Sequence, residues 1–233
     1  MKKRFVIFML TVFLLAVPFA LTAAQVTPSE GPVLKTLSPA APYQNTLNQA
    51  SLMETNDGYV VNVSGTLNPE DPIYEVVVSP ETLTYQIVYP AILYSSESDS
   101  GTGSRPTTGN NLTINSRAQT VDTLDINLCS TTVQLKYNNN GTAITPVSRS
   151  VSVTDYSGIT HWYCTTKSVS GSGNYASASA EHYNTDFIVG GRVDVSHSVS
   201  ISITPGGTIN WAGQATITGG AGALLWTRFQ PIY

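Results

Sequence analysis

Three histidines are the residues of this chain best suited to holding a metal ion. His161, His182 and His197 all fall in segments that we predict to be strands. No two of them form an H-x-H or H-x-x-x-H pattern, and no cysteine or aspartate accompanies them at the spacing that zinc sites use. We therefore interpret them as ordinary polar strand positions, and the sequence assigns no metal ion and no other cofactor to the chain.

Paired carboxylates are the residues that could act as a general acid and base. Glu70 and Asp71 form one pair, and Asp122 and Asp125 form another. A glycosidase needs its two carboxyl groups roughly 5–10 Å apart, which the sequence does not specify. Asp122, Asp125 and Asn127 also offer oxygen ligands for calcium, but not at EF-hand spacing. Since carboxylates are common in loops, we assign no catalytic residue and do not expect an enzyme.

Aromatic side chains form the remaining candidate ligand surface. Aromatic rings stack on sugars in carbohydrate-binding β-sandwiches, so Trp162, Trp211 or Trp226 would serve a monomeric, surface-bound glycan-binding or adhesion module. Strand-rich cores also use aromatic residues for packing, and we favour the packing interpretation. The whole set comprises Trp162, Tyr163, Tyr175, Tyr183, Trp211, Trp226 and Phe229.

The first 24 residues have the three parts of a secretory signal peptide. Three basic residues at positions 2–4 precede an apolar run over residues 5–21, and small residues end the segment at Ala24. The apolar run is at the short end for a membrane span, which needs roughly 20 residues. We therefore predict Sec-type export, cleavage after Ala24 and no stable membrane span in the mature chain, with a retained N-terminal anchor as the alternative.

The chain is acidic and poor in charge. It has 11 basic and 15 acidic side chains among 233 residues, and only 11% of its residues are charged. The predicted signal peptide contains three of the basic residues and no acidic one, so the mature chain is more acidic still. An acidic surface repels nucleic acid and anionic lipid, which leaves proteins, glycans or copies of itself as partners.

Export makes two covalent features possible. A secreted chain can keep a disulfide, so we expect Cys129 and Cys164 to be bridged, with two free buried thiols as the alternative. Asn62, Asn111 and Asn140 begin N-x-S/T triplets, and each is a candidate N-glycosylation site. Asn140 should be the most accessible because it falls in a predicted hairpin turn, and Asn111 should be next because it borders a long polar loop.

Apolar and polar residues alternate in short runs through most of the chain, which indicates half-buried strands. Asn140-Gly141 favours a type I′ hairpin turn, and Gly190-Gly191 with Pro205-Gly206-Gly207 brackets a further strand. We therefore predict an all-β chain with a single β-sandwich or jelly-roll-like domain over residues 51–233. The predicted strands are 58–67, 73–79, 82–94, 111–116, 121–128, 131–137, 143–154, 159–168, 176–189, 192–204, 208–218 and 223–229.

Residues 25–50 form the unusual part of the chain, which we interpret as an extended N-terminal tail. Four prolines between positions 28 and 42 exclude a helix and a long strand. The tail nevertheless contains apolar residues that gain nothing from exposure to water. It either folds back onto its own body or pairs with the open sheet of a neighbouring copy, which would repeat head to tail as a filament. The predicted donor-strand residues are Val26, Val33, Leu34 and Leu37.

This layout resembles exported β-sandwich subunits that are joined by donor-strand complementation. It is most similar to the thread and bundling-pilus subunits of hyperthermophilic or thermoacidophilic archaea, and in architecture to bacterial chaperone–usher pilins. The resemblance is carried by the signal at 1–24, the tail at 25–42, the strand body rich in Ser, Thr and Tyr, and the end at 220–233 with its glycines and terminal aromatic residue. It implies a pilus-like, Ig-like subunit of a glycosylated filament on the cell surface. Such a subunit binds copies of itself and serves biofilm cohesion or adhesion to surface glycans or neighbouring cells.

Overall fold

A computed structural model describes residues 33–36, 38–39, 47–89, 105–156, 161–187, 191–220 and 222–233. The predicted signal peptide lies outside the described residues, as do the predicted donor residues Val26 and Leu37 and most of the predicted polar loop at 95–110. The chain from Gly31 to Tyr233 forms one compact unit.

The described residues form fourteen strands, which confirms the all-β prediction. Sheet A has the strand order β1-β3-β4-β13-β12-β11-β10, and sheet B has the order β2-β6-β5-β14-β7-β8-β9. Each sheet therefore consists of six strands with a short N-terminal strand added at one edge. In chain order the strands are β1 Val33–Thr36, β2 Ser38–Pro39, β3 Leu47–Thr55, β4 Gly58–Leu67, β5 Glu75–Ser79, β6 Thr84–Val88, β7 Gly109–Asp122, β8 Asn127–Asn139, β9 Ile144–Asp155, β10 Tyr163–Ser170, β11 Tyr175–Asn184, β12 Val193–Ile203, β13 Ile209–Thr218 and β14 Leu225–Ile232.

The two sheets pack face to face as a sandwich, with β11, β12 and β13 of sheet A lying over β7 and β8 of sheet B. Strand β12 shows why these residues form strands. Val195, Val199 and Ile201 are buried between the sheets, while Asp194 and Ser200 on the alternate positions face outward. The period of two puts one side of each strand in the core, so burial of that side is what stabilises the pairing.

Serine side chains line part of the outer face of sheet A. They form two cross-strand rows over β10, β11 and β12 because serines stand directly opposite serines in the register. In the first two strands the hydroxyls of each row bond to each other, with Oγ–Oγ distances of 2.8 Å. The rows are Ser168, Ser179 and Ser198, and Ser170, Ser177 and Ser200.

Strand β7 corrects the sequence analysis, which predicted two separate strands at 111–116 and 121–128. Residues 109–122 form one strand, and the turn follows at residues 123–126, where Asp125 has a φ of 67°. Ser116, Ala118 and Thr120 occupy inward positions of β7 and are fully buried. Because these inward residues are small or carry a hydroxyl, the alternation of apolar and polar residues is not visible in the sequence.

The hairpin between β8 and β9 is confirmed, but its turn is not the predicted type I′. That turn needs two positive φ angles, whereas Gly141, with a φ of 88°, is the residue of loop 140–143 that adopts one. The side chain of Asn140 closes the loop instead, since its Oδ1 accepts hydrogen bonds from the backbone N–H groups of Thr142 and Ala143.

Strand β14 runs further than predicted and includes Pro231. Over Thr227–Phe229 it pairs with both β5 and β7, but from Gln230 onward it pairs with β7 alone. Proline has no N–H group to donate, so it is tolerated where one side of the strand has no partner.

Candidate functional site

The N-terminal segment forms an edge strand of both sheets. Strand β1 pairs antiparallel with β3, with Leu34 opposite Met53 and Lys35 opposite Leu52. Two residues later, β2 pairs parallel with β6 in sheet B, with Ser38 opposite Thr84. One continuous stretch of chain therefore covers the outer edges of β3 and β6, which lie on the same side of the sandwich.

This pairing takes place within one chain, which is the first of the two arrangements that the sequence left open for the tail. Val33 and Leu34, both predicted as donor residues, lie in β1. Strand β3 begins at Leu47, so the boundary drawn at residue 51 falls inside a strand. An edge strand such as β3 needs a partner for its outward N–H and C=O groups, and β1 supplies it here.

The three sequons lie at positions of different accessibility. Asn140 and Asn111 are exposed, and Asn111 has a φ of 57° beside the irregular start of the β7–β8 pairing. Asn62 is half-buried in the middle of sheet A, and its Oδ1 accepts a hydrogen bond of 2.8 Å from Gln214. A glycosyltransferase would reach Asn111 and Asn140 more easily than Asn62.

Three of the seven aromatic residues singled out in the sequence lie in the core, whereas Tyr163 and Tyr175 are exposed. Trp162 is 0% exposed and packs edge-on against Phe187 at a centroid distance of 5.8 Å. Trp211 is 2% exposed and donates to the hydroxyl of Tyr74. The packing interpretation is confirmed for these two tryptophans and for Phe229, which is 1% exposed. A sugar platform on Trp162 or Trp211 is therefore wrong, since neither ring meets solvent.

The carboxylates singled out in the sequence hold turns together. Asp122 Oδ1 accepts hydrogen bonds from the backbone N–H groups of Leu124 and Ile126, at 2.9 and 2.8 Å. Asp71 Oδ2 accepts one of 2.7 Å from the backbone N–H of Asn68. These contacts give the carboxylates a structural role at both turns.

Glu75 is a buried carboxylate that the sequence analysis did not consider. It lies on β5, 9% exposed, and forms ion pairs with Arg228 at 3.2 Å and Arg117 at 3.7 Å. Arg228 also contacts Asp125. Burial raises the pKa of Glu75 above its ordinary value, although the two arginines oppose that shift.

The predicted Cys129–Cys164 disulfide is not formed in the structure, which holds both residues as free thiols. Cys129 is buried between the sheets on β8. Cys164 lies on β10 of the other sheet, where its thiol bonds to the backbone oxygen of Thr166 at 3.3 Å. The two side chains therefore have separate partners.

Cys129, His182 and His197 form a buried cluster between the sheets. One ligand atom from each residue lies within 4.8 Å of the corresponding atoms of the other two, and all three residues are buried. His182 and His197 stand diagonally on neighbouring strands β11 and β12, with their rings 5.3 Å apart, and Cys129 faces them from β8. His161 lies apart from this cluster and is exposed.

Two threonines link the members of this cluster. Thr131 Oγ1 lies 3.1 Å from Nε2 of His182 and 3.2 Å from Nδ1 of His197. Thr120 Oγ1 lies 2.8 Å from Nε2 of His197. Among the described residues, Nδ1 of His182 is one of the buried side-chain atoms that have no hydrogen-bond partner.

Burial keeps the three cluster residues neutral. It lowers the pKa of His182 to about 4 and lowers that of His197 well below its ordinary value. Burial also raises the pKa of the Cys129 thiol far above its ordinary value. Each group is therefore uncharged near neutral pH because the core disfavours its charged form.

The sequence analysis did not predict this cluster, although the sequence pattern indicates that one of its histidines faces the core. His197 lies between Val195 and Val199 on the inward face of β12, so the alternation alone placed it in the core. The position of Cys129 opposite it depends on the strand order of two sheets, which no local pattern specifies.

Comparison of the chain with protein-family models, with curated proteins and with solved structures finds no match. Within the described part of the chain, no helix is long and apolar enough to cross a membrane.

Proposed function

We propose that the chain is the structural subunit of an extracellular, pilus-like filament, exported by its signal peptide and assembled by N-terminal strand exchange. In each exchange, the segment that forms β1 and β2 would leave its own sheets and pair with β3 and β6 of a neighbouring copy. The observation that supports this proposal is the position of that segment, which is N-terminal and covers the edges of both sheets.

Exchange conserves the interactions of the segment. A neighbour's copy of residues 33–39 has the same sequence and therefore makes the same backbone pairs with β3 and β6. The two strands are short, with four and two residues, so few hydrogen bonds must break before they can re-form in the neighbour. Swapping of an identical terminal element is a low-cost route to association between copies.

The exchange has a direction, since every subunit donates one segment and accepts another. The donating and accepting surfaces differ, so the contact is heterologous and generates an open filament unless its rotation closes a ring. Main-chain pairing supplies the affinity in such strand addition. Glycans on Asn111 and Asn140 would lie on the exterior, where the filament would serve adhesion or biofilm cohesion.

The test is electron microscopy of the secreted protein, combined with mass spectrometry of its N-terminus. We expect regular fibres from a chain that begins at Gln25. Deletion of residues 25–40 should abolish the fibres, because it removes both β1 and β2. Deletion of residues 25–30 is the matched control, since it shortens the tail but leaves both strands, and it should retain fibres.

Two outcomes would reject the proposal. The first is fibres of normal appearance from the chain that lacks residues 25–40. The second is a full-length secreted protein that stays monomeric at every concentration examined.

A further inference from the structure

The cluster of Cys129, His182 and His197 is more than a set of polar residues in the core. We propose that it binds a borderline-soft transition-metal ion of the Zn²⁺ type. The ligands are the Cys129 sulfur and one ring nitrogen from each histidine. This site is independent of filament assembly, because its residues belong to β8, β11 and β12 and not to the N-terminal edge.

The ligand chemistry selects the class of ion. One thiolate and two imidazoles form a donor set that suits zinc and copper, whereas magnesium and calcium prefer oxygen ligands. Zinc sites commonly combine cysteine and histidine ligands around a tetrahedral ion. Histidine coordinates as the neutral imidazole and cysteine as the thiolate.

The geometry is close to that of a binding site. With metal–nitrogen bonds of about 2.0 Å and a metal–sulfur bond of about 2.3 Å, the ligand atoms of a tetrahedral site lie roughly 3.3–3.5 Å apart. The three ligand atoms here lie within 4.8 Å of one another. They belong to both sheets, so small side-chain rotations would bring them onto a common ion.

His182 has coordinating capacity that the fold does not use. Its Nδ1 is buried and has no hydrogen-bond partner. An orphaned polar atom in the core costs free energy, because it has lost its hydrogen bond to water without replacement. A metal ion bound to Nδ1 would compensate for this lost hydrogen bond.

The threonines match the supporting layer of a metal site. Ligating histidines usually keep a hydrogen bond on the ring nitrogen that does not bind the metal, and this fixes the ring orientation. Thr131 Oγ1 lies within hydrogen-bond distance of both imidazoles and has two lone pairs to accept from both. Thr120 Oγ1 lies 2.8 Å from Nε2 of His197, and the metal would replace this contact when Nε2 coordinates.

Binding has a defined proton balance. The Cys129 thiol loses its proton to solvent as the sulfur–metal bond forms, and the neutral histidines release none. Uptake of a divalent ion should therefore release about one proton per ion. Nothing is oxidised or reduced in this step.

Cys164 provides a matched control. It stands directly opposite His182 in the β10–β11 register and is half-buried, but it is not part of the three-residue cluster. Cys129→Ser and Cys164→Ser are the same substitution in neighbouring places. Both keep the size of the side chain nearly unchanged, and near-ultraviolet circular dichroism checks that each variant is folded.

The experiment uses Co²⁺ as the probe ion and the secreted full-length protein under reducing conditions. We expect about one Co²⁺ per chain and a thiolate-to-cobalt charge-transfer band. Cys129→Ser should lose the charge-transfer band and bind Co²⁺ at least about 10-fold more weakly, as expected for loss of a ligand. Cys164→Ser and His161→Ala should keep both the spectrum and the stoichiometry.

Three results would overturn the assignment. They are a folded protein that binds no Co²⁺, a charge-transfer band that survives in Cys129→Ser and disappears in Cys164→Ser, and isolation of the chain with Cys129 consumed in a disulfide. If Cys129→Ser does not fold, the number of protons that the wild-type chain releases per Co²⁺ ion tests the proposal instead. Co²⁺ uptake without proton release would exclude thiolate coordination.

Discussion

The two lateral sides of the sandwich are closed in different ways. On one side the edge strands β9 and β10, with 12 and 8 residues, come from the middle of the chain and lie against each other. Arg149 on β9 ties the sheets together there by donating to the backbone oxygens of Tyr175 and Gly173, at 2.8 and 2.6 Å. On the other side, residues 33–39 cover the edges of β3 and β6 with two short strands.

In the proposed strand exchange, this difference separates a permanent edge from an exchangeable one. Strands in the middle of a chain are held at both ends, so β9 and β10 can leave their sheets only if the domain unfolds. A terminal segment of four and two paired residues can leave while the six long strands of each sheet stay in place. The free energy of local opening increases with the number of contacts that must be lost, and β1 and β2 have few.

The largest predicted effect comes from locking the exchangeable edge. Leu34→Cys with Met53→Cys places two thiols on directly opposite residues, whose Cα atoms are about 4.5–5.5 Å apart in an antiparallel pair and so within disulfide range. In a Cys164→Ser background, oxidation of the monomer should abolish fibre formation, because β1 can no longer leave its own β3. Electron microscopy before and after reduction measures the effect.

The same lock on the other side of the sandwich is the control. Ser168 and Ser179 are opposite each other on β10 and β11, so Ser168→Cys with Ser179→Cys forms an equivalent bridge. Fibres should form normally from this oxidised variant. Loss of fibres in both variants would show that polymerisation does not depend on release of β1.

The second prediction concerns the core beneath each edge. Leu52, 1% exposed, is opposite Lys35 of β1, whereas Trp162, 0% exposed, lies at the start of β10. In the full-length monomer, Leu52→Ala should cost about 2–5 kcal/mol and Trp162→Ala about 3–5 kcal/mol. In the chain that lacks residues 25–40, the cost of Leu52→Ala should fall by about 0.5–3 kcal/mol, because its burial depends on β1.

Urea unfolding of the wild-type chain, the three single variants and the two double variants measures this coupling. The cost of Trp162→Ala should be the same with and without the tail, since the two sites lie on opposite sides of the sandwich. Equal costs of Leu52→Ala in both backgrounds would mean that β1 contributes nothing to the core.

A smaller effect is expected from Arg149, which bridges the permanent edge. Arg149→Met removes two hydrogen bonds to backbone oxygens and should lower the free energy of unfolding by about 1–3 kcal/mol. The matched change Arg192→Met removes an exposed ion pair with Asp194 and a cation–π contact with Tyr183, and it should lower the free energy of unfolding less than Arg149→Met does. Thermal unfolding of both variants tests whether the hydrogen bonds of Arg149 or its positive charge stabilises the folded protein.

The smallest predicted effect is a pH dependence at Glu75. Burial raises its pKa in the folded protein above 4.5, its ordinary value, so the folded state binds this proton more tightly than the unfolded state. The tighter binding of this proton stabilises the folded state. That stabilisation is fully present below the pKa of Glu75 in the unfolded chain, and it is lost as the pH rises through the pKa in the folded protein. Relative to Glu75→Gln, the wild-type protein should therefore become less stable as the pH rises.

Urea midpoints of both proteins between about pH 4 and about pH 8 measure this difference. Parallel curves would mean that Glu75 has the same pKa in the folded and unfolded states.

The alternation of residues predicted the sandwich and many of its strands. The predicted strand 58–67 coincides with β4, and 208–218 differs from β13 by one residue. These strands have strongly apolar inward residues, and their outward residues are polar. Strand β7 was split because Ser116 and Thr120 occupy inward positions, and β1 and β2 are too short to show a period.

The cluster of Cys129, His182 and His197 could not be predicted for a different reason. Its inward histidines follow from the periodicity of β11 and β12, but their distance from Cys129 depends on the packing of two sheets. The edge strands are similar, since β1 pairs with β3 of one sheet and β2 with β6 of the other, and no local pattern specifies these pairings. Both features are long-range, and local residue patterns carry no information on them.

The serine rows on the outer face of sheet A have a consequence for contacts between filaments of the kind proposed above. Long charged side chains lose roughly 1.5–2 kcal/mol of rotamer entropy each when they are immobilised, whereas serine has a single short rotor and loses far less. The face formed by Ser168, Ser179, Ser198 and their neighbouring row contains hydroxyls that are already bonded to each other. Side-by-side contact through this face would therefore cost little conformational entropy. Many such weak contacts, repeated along two filaments, would add up to a stable association.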